Sequence, residues 1–172
     1  PDFAEGWTSD TLDETQLFHL LATAVSKTNE AVIVTDANLD SLEPRIVFVN
    51  PAFTRQSGFE PEEAMGRSLS MLHGPRTNRE ELKQLWLSIK DSGGFSTLTN
   101  NYRKNGTGYR VEWNVTPVQN EHGTTTHYVS IQQDVTKRER EELKLKHAEE
   151  ELNSLFNEAT AAREQIEQAV AG

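Results

Sequence analysis

Cysteine is missing from this 172-residue chain altogether, which excludes a disulfide framework, a thiolate metal site and any thiol nucleophile. Long hydrophobic runs are missing too: no apolar stretch approaches the roughly 18 residues needed to span a bilayer. Basic residues are few beside acidic ones, 17 against 27, for a formal net charge of -10. Phosphate recognition needs a basic face, so no nucleic-acid partner is expected, and with no spanning run no membrane partner is expected either. The apolar share is 35%, below the ~45–50% of globular domains, a figure that also counts Gly. That shortfall points to an ordinary core diluted by long polar helices. Pro1-Asp2-Phe3 lacks the charged and apolar regions of a secretory signal. The cytoplasm is the expected compartment, and the missing initiator Met points to an excised fragment.

What is present falls into three regions, expected at 1–28, 29–136 and 137–172. The first carries 1 basic and 5 acidic groups, the middle 10 and 13, and the last 6 and 9. The middle is close to balanced, and the acidic flanks suit solvated helices. In the first region Leu12, Leu17, Leu20, Leu21, Ala24 and Val25 recur at helical spacing after Asp10, which reads as an N-cap. In the last, Leu145, Leu152, Ala159 and Ile166 stand seven apart. So do Ala148, Leu155, Ala162 and Ala169, offset by three. This a/d heptad over four repeats predicts a coiled coil and hence a homodimer through the flanking helices.

The middle region is mixed. Ala31–Asp36 and Arg45–Asn50 are β-branched runs that predict a strand pair. Residues 51–91 read as helical pieces broken at Gly58, Gly66 and Gly74-Pro75. The longest, Asn78 to about Lys90, carries Leu82, Leu85, Trp86 and Ile89 on one face. Three further strands are predicted near 94–104, 107–118 and 125–135, with turns at Asn105-Gly106 and 120–123. The order β-β-α-α-α-β-β-β predicts an α+β fold: a five-stranded antiparallel sheet with its helices on one face.

In sequence order, Val34-Thr35-Asp36, Val49-Asn50-Pro51-Ala52-Phe53, Ser57-Gly58-Phe59, Glu62-Glu63-Ala64-Met65-Gly66-Arg67, Asn101-Tyr102-Arg103-Lys104-Asn105-Gly106 and Gln132-Gln133-Asp134-Val135-Thr136 resemble a PAS domain over about residues 29–136. The Asp-Val-Thr before a charged heptad helix resembles the linker from PAS domains to histidine kinases and diguanylate cyclases. The resemblance therefore implies a sensory module covalently linked to an effector, and not itself an enzyme.

Gly66–Thr77 is similar to the blue-light LOV subgroup, which reads Gly-Arg-Asn-Cys-Arg-Phe-Leu-Gln-Gly-Pro-x-Thr. Here Leu69 stands in place of the reactive cysteine, Ser68, Ser70 and His73 in place of the Asn, Arg and Gln. Trp86 takes the position of a second phosphate-binding Arg, and Val111 that of an Asn that reads the ring. The cysteinyl-flavin adduct is thereby excluded. What survives of the flavin set is Asn101, the adjacent Asn100, and Gln132. Leu85-Trp86, Gly94-Phe95-Ser96 and Asn101-Tyr102-Arg103-Lys104 are also similar to FAD-binding redox PAS domains. The resemblance thus implies a flavin, FMN or FAD, with Asn101, Gln132, Asn100, Leu69, Trp86, Val111 and His73 around it. From the residues alone two other readings stay open, a cofactor-free relay domain and a small-metabolite sensor.

The remaining chemistry-bearing residues point nowhere specific. Ser68-x-Ser70 has no preceding strand and no second glycine of a nucleophile elbow. His122 and His127 flank a hairpin without further metal ligands, and His147 falls on the heptad's solvent side. Arg76, Arg79 and Lys83 read as a solvated basic start to the long helix.

Overall fold

The computed structural model describes residues 12–38 and 43–171, apart from the side chain of Lys90. By internal contacts the chain divides into two compact units, at Val135/Thr136.

The first unit opens with helix α1, Glu14–Lys27. Asp13 caps it by accepting from Gln16 N, and the Gln16 side chain answers by accepting from Asp13 N, a reciprocal capping box. Asp10, expected as the cap, lies outside the described residues. Strands β1 (Ala31–Asp36) and β2 (Ile46–Val49) follow, and then α2 (Pro51–Ser57) and α3 (Pro61–Ala64). A 3₁₀ turn, Leu69–Leu72, leads into α4, Arg79–Ser92. Strands β3 (Phe95–Tyr102), β4 (Gly108–Gln119) and β5 (Thr125–Asp134) complete the unit.

The five strands form one antiparallel sheet in the order β2-β1-β5-β4-β3. This is the α+β architecture expected from the element order. The alternation of side chains along each strand decides what is buried. In β1 the inward residues are Ala31, Ile33 and Thr35; in β4 they are Tyr109, Val111, Trp113 and Val115; in β5 they are Tyr128, Ser130 and Gln132. Leu69 and Leu72 of the 3₁₀ turn, and Leu82, Trp86 and Ile89 of α4, close the core against that face.

One amide ties three of these elements together. Asn50, buried, caps α2 by accepting from Phe53 N, and the same Oδ1 accepts from Val32 N. Its Nδ2 donates to Val25 O of α1 at 2.9 Å and to Glu30 O at 3.0 Å. Every hydrogen-bonding position of that side chain is thus used.

The second unit is α5, Thr136–Ala171, a helix of 36 residues with none of its side chains buried. Its heptad leucines and isoleucine, Leu145, Leu152, Leu155 and Ile166, are 56–67% exposed. No helix among the described residues is long and apolar enough to cross a membrane.

Candidate functional site

The sheet's inner face separates into a polar end and an aromatic end. At the polar end Asn101, Gln132 and Tyr109 are buried together. Asn101 Nδ2 donates directly to Gln132 Oε1 at 3.3 Å, across β3 and β5. Asn101 Oδ1 has no partner although it is buried, a costly arrangement unless a donor reaches it. Burial pushes the Tyr109 hydroxyl up to about 12, against a smaller downward pull from its hydrogen bond with Asn101. Val111 is buried beside them. Asn100 points the other way along the strand: its Nδ2 donates to Arg76 O, and its own carbonyl accepts from Thr77 Oγ1. It belongs to the packing of the 74–77 loop.

At the aromatic end Trp86 of α4 meets Trp113 edge-on, with ring centroids 6.2 Å apart. Phe95 lies 5.4 Å from both indoles, and Tyr128 5.3 Å from Trp86. Edge-to-face contacts of this kind each add about 0.5–1.5 kcal/mol beyond burial. Trp113 Nε1 donates to the buried Ser130 Oγ. The Trp86 position, where a charged group would grip a phosphate, is therefore part of the hydrophobic core.

Between the 3₁₀ turn and α4 the surface opens into a cleft of about 400 Å³. Leu69, Leu82, Trp86 and Trp113 provide its apolar wall, and His73, Arg79 and Lys83 its basic side. The structure thus brings Leu69, His73 and Trp86 together here, and Asn101, Gln132 and Val111 together at the polar end. His73 is half-buried beside the cleft. Burial first, and the Arg79 guanidinium second, hold its pKa down to about 4, so the ring is neutral near pH 7.

These residues do not fit an isoalloxazine. A ring read by Asn101 and Gln132 would have to come between two amides that are bonded to each other. The apolar groups that would cover its faces, Ile33, Leu69, Leu72 and Trp113, pack into one cluster. The unpaired Asn101 Oδ1 offers one acceptor.

Two features escaped the sequence reading. Trp113 fills the inner face; its parity with Tyr109, Val111 and Val115 was the available signal. Arg103 is the other. It donates to Gln56 O of α2, pairs with Asp134 at 2.5 Å, and lies 4.4 Å over the Tyr109 ring. Among the described residues no cluster of three His, Asp or Glu could hold a metal.

Comparison with known proteins agrees with this geometry. A family model described as a PAS domain matches residues 29–137. A blue-light photoreceptor of Listeria monocytogenes is 30% identical over 149 residues, 87% of this chain and 58% of its own length. A blue-light-activated histidine kinase of Brucella canis is 31% identical over 147 residues, 86% of this chain and 29% of the kinase. The chain therefore spans only part of these relatives. The solved structure of an RNA-binding Light-Oxygen-Voltage receptor superposes with a TM-score of 0.70 at 28% identity, covering 83% of this chain and 40% of that one.

Proposed function

This chain belongs to the PAS domain family, and from that premise we propose that it is a non-catalytic sensory relay: residues 29–136 form the sensor, residues 1–28 cap it, and 137–172 carry the output. In this reading α5 pairs with its counterpart in a second copy as a parallel coiled coil. A change at the sensor alters that pairing and biases an effector joined to the chain, of the histidine kinase or diguanylate cyclase type. The observation that carries the reading is the unburied heptad seam of α5. A helix of this length with an apolar stripe gains most of its stability from a partner.

The flavin implied by the blue-light relatives is not carried over, because Asn101 and Gln132 bond to each other and the apolar groups that would cover a ring pack into one cluster. Nor is the RNA binding named for the structural neighbour, given a net charge of -10. The signal in this reading is a small molecule at the cleft, or a mechanical input from the flanking helices.

The cysteine-free sequence makes a clean test. Leu152→Cys introduces one thiol at a seam position, and in a parallel, in-register dimer that thiol meets its own copy. Mild oxidation is expected to cross-link most of the protein, while Glu150→Cys on the outer side cross-links poorly. The unmodified chain is expected to be a dimer by sedimentation at tens of micromolar and colourless at 450 nm. A monomer without cross-link overturns the relay, and a stoichiometric flavin spectrum overturns the exclusion of the cofactor.

A further inference from the structure

Resting on the sensor reading above, we propose that the cleft between the 3₁₀ turn and α4 binds a small carboxylic acid anion with an aromatic or branched hydrocarbon body. Its volume, about 400 Å³, lies toward the lower end of the roughly 300–1,000 Å³ of small-molecule pockets. A nucleotide-sized cofactor is a poor match and a ring with a short acid arm a good one. The hydrocarbon body lies against the edges that Trp86, Trp113, Leu69 and Leu82 show to the cleft, each residue otherwise packed into the core. Apolar walls of this kind reward a planar or branched group.

Charge decides the other end of the ligand. Arg79 and Lys83 stand four apart on α4, so their side chains share a helix face. Neither has an ion-pair partner among the described residues. In a chain of net charge -10, two unpaired cations converging on one half-apolar cleft are out of keeping with the rest of the surface. Glu43 is the carboxylate that also lines the cleft, and it leaves a net positive rim. His73 beside them is neutral near pH 7 and offers a ring nitrogen without adding charge. A guanidinium and an ammonium over an aromatic wall select an anion whose charge is separated from an apolar body by one or two bonds.

The test is calorimetric titration of the full chain with 2-naphthoate, phenylacetate and 4-methylvalerate, each against the alcohol of the same skeleton. At least one acid is expected to bind about tenfold tighter than its alcohol, and its preference is expected to shrink as salt rises. Arg79→Ala and Lys83→Ala, both at exposed helix positions, each weaken the acid several-fold. Together they remove the preference while leaving the alcohol unchanged. Equal affinity for acid and alcohol, or saturation by none of the acids below about 5 mM, overturns the proposal. Sedimentation of the same samples separates the two ideas: a dimer that binds no acid sinks the ligand alone, and a monomer that binds one sinks the relay alone.

Discussion

Replacing His73 with Gln tests whether a sheltered imidazole limits the acid stability of this domain. The histidine pKa falls from 6.5 to about 4 on folding, chiefly because burial penalises the charged ring and secondarily because Arg79 is near. The unfolded chain therefore binds a proton between these two values that the folded one refuses. Stability contributed by the neutral ring is intact above pH 6.5 and is lost as pH falls toward 4. At 1.36 kcal/mol per pH unit the ceiling is about 3 kcal/mol. Because the ring is only partly enclosed, solvent screening reduces this to about 1–2 kcal/mol. Gln is polar and of similar reach, and it cannot charge. Thermal unfolding of both proteins at one fixed concentration is the assay. The two are expected to melt together at pH 7.5. At pH 4.5 the His73→Gln protein is expected to hold an advantage of roughly 2–8 °C, since each kcal/mol moves a chain of 150–250 residues by about 2–4 °C. Loss of protonated carboxylate pairs is common to both and cancels in the difference. Parallel decline of the two melting curves would falsify the assignment of a sheltered, neutral His73.

Asn50→Ala removes the acceptor of Val32 N and Phe53 N and the donor to Val25 O and Glu30 O. With a lost helix cap and buried groups left unpaired, urea unfolding is expected to show about 3–5 kcal/mol of destabilisation; a loss under 1 kcal/mol contradicts the shared-amide account. At Gly74 an added Cβ would collide with the ring of Tyr102, which is held in place as the acceptor of Arg76 N at 3.1 Å. Gly74→Ala is expected to cost about 1–3 kcal/mol, and next to nothing once Tyr102 is also Ala. An unchanged cost in the double variant means that the ring is not the obstacle.

Local patterns made most of the fold legible. The β-branched runs of β1 and β2, the turn residues at 105–106 and 120–123, and the apolar face of α4 each name an element from a handful of neighbours. The heptads over 145–169 did the same for α5. What stayed hidden depends on residues far apart in the chain. The Arg103–Asp134 pair joins positions 31 apart, and nothing around either residue announces the other. Asn101 and Gln132 were each named for an inward ligand, yet that they bond to each other, 31 positions apart, is set by the folded sheet. The basic side of the cleft was read as a solvated helix start, because Arg79 and Lys83 acquire meaning only once the 3₁₀ turn and its histidine stand opposite them.

The length of α5 sets a scale for what any sensor built on this frame must achieve. At 1.5 Å per residue its 36 residues reach about 54 Å. Over that span the helix acts as a pointer: tipping its base by about 5° sweeps the far end through roughly 5 Å, nearly one helical turn. Its first residue, Thr136, is separated by Val135 alone from Asp134, whose carboxylate pairs with Arg103. In the relay proposed above, a tilt of that size would reach a partner helix as a change of a whole layer of contacts.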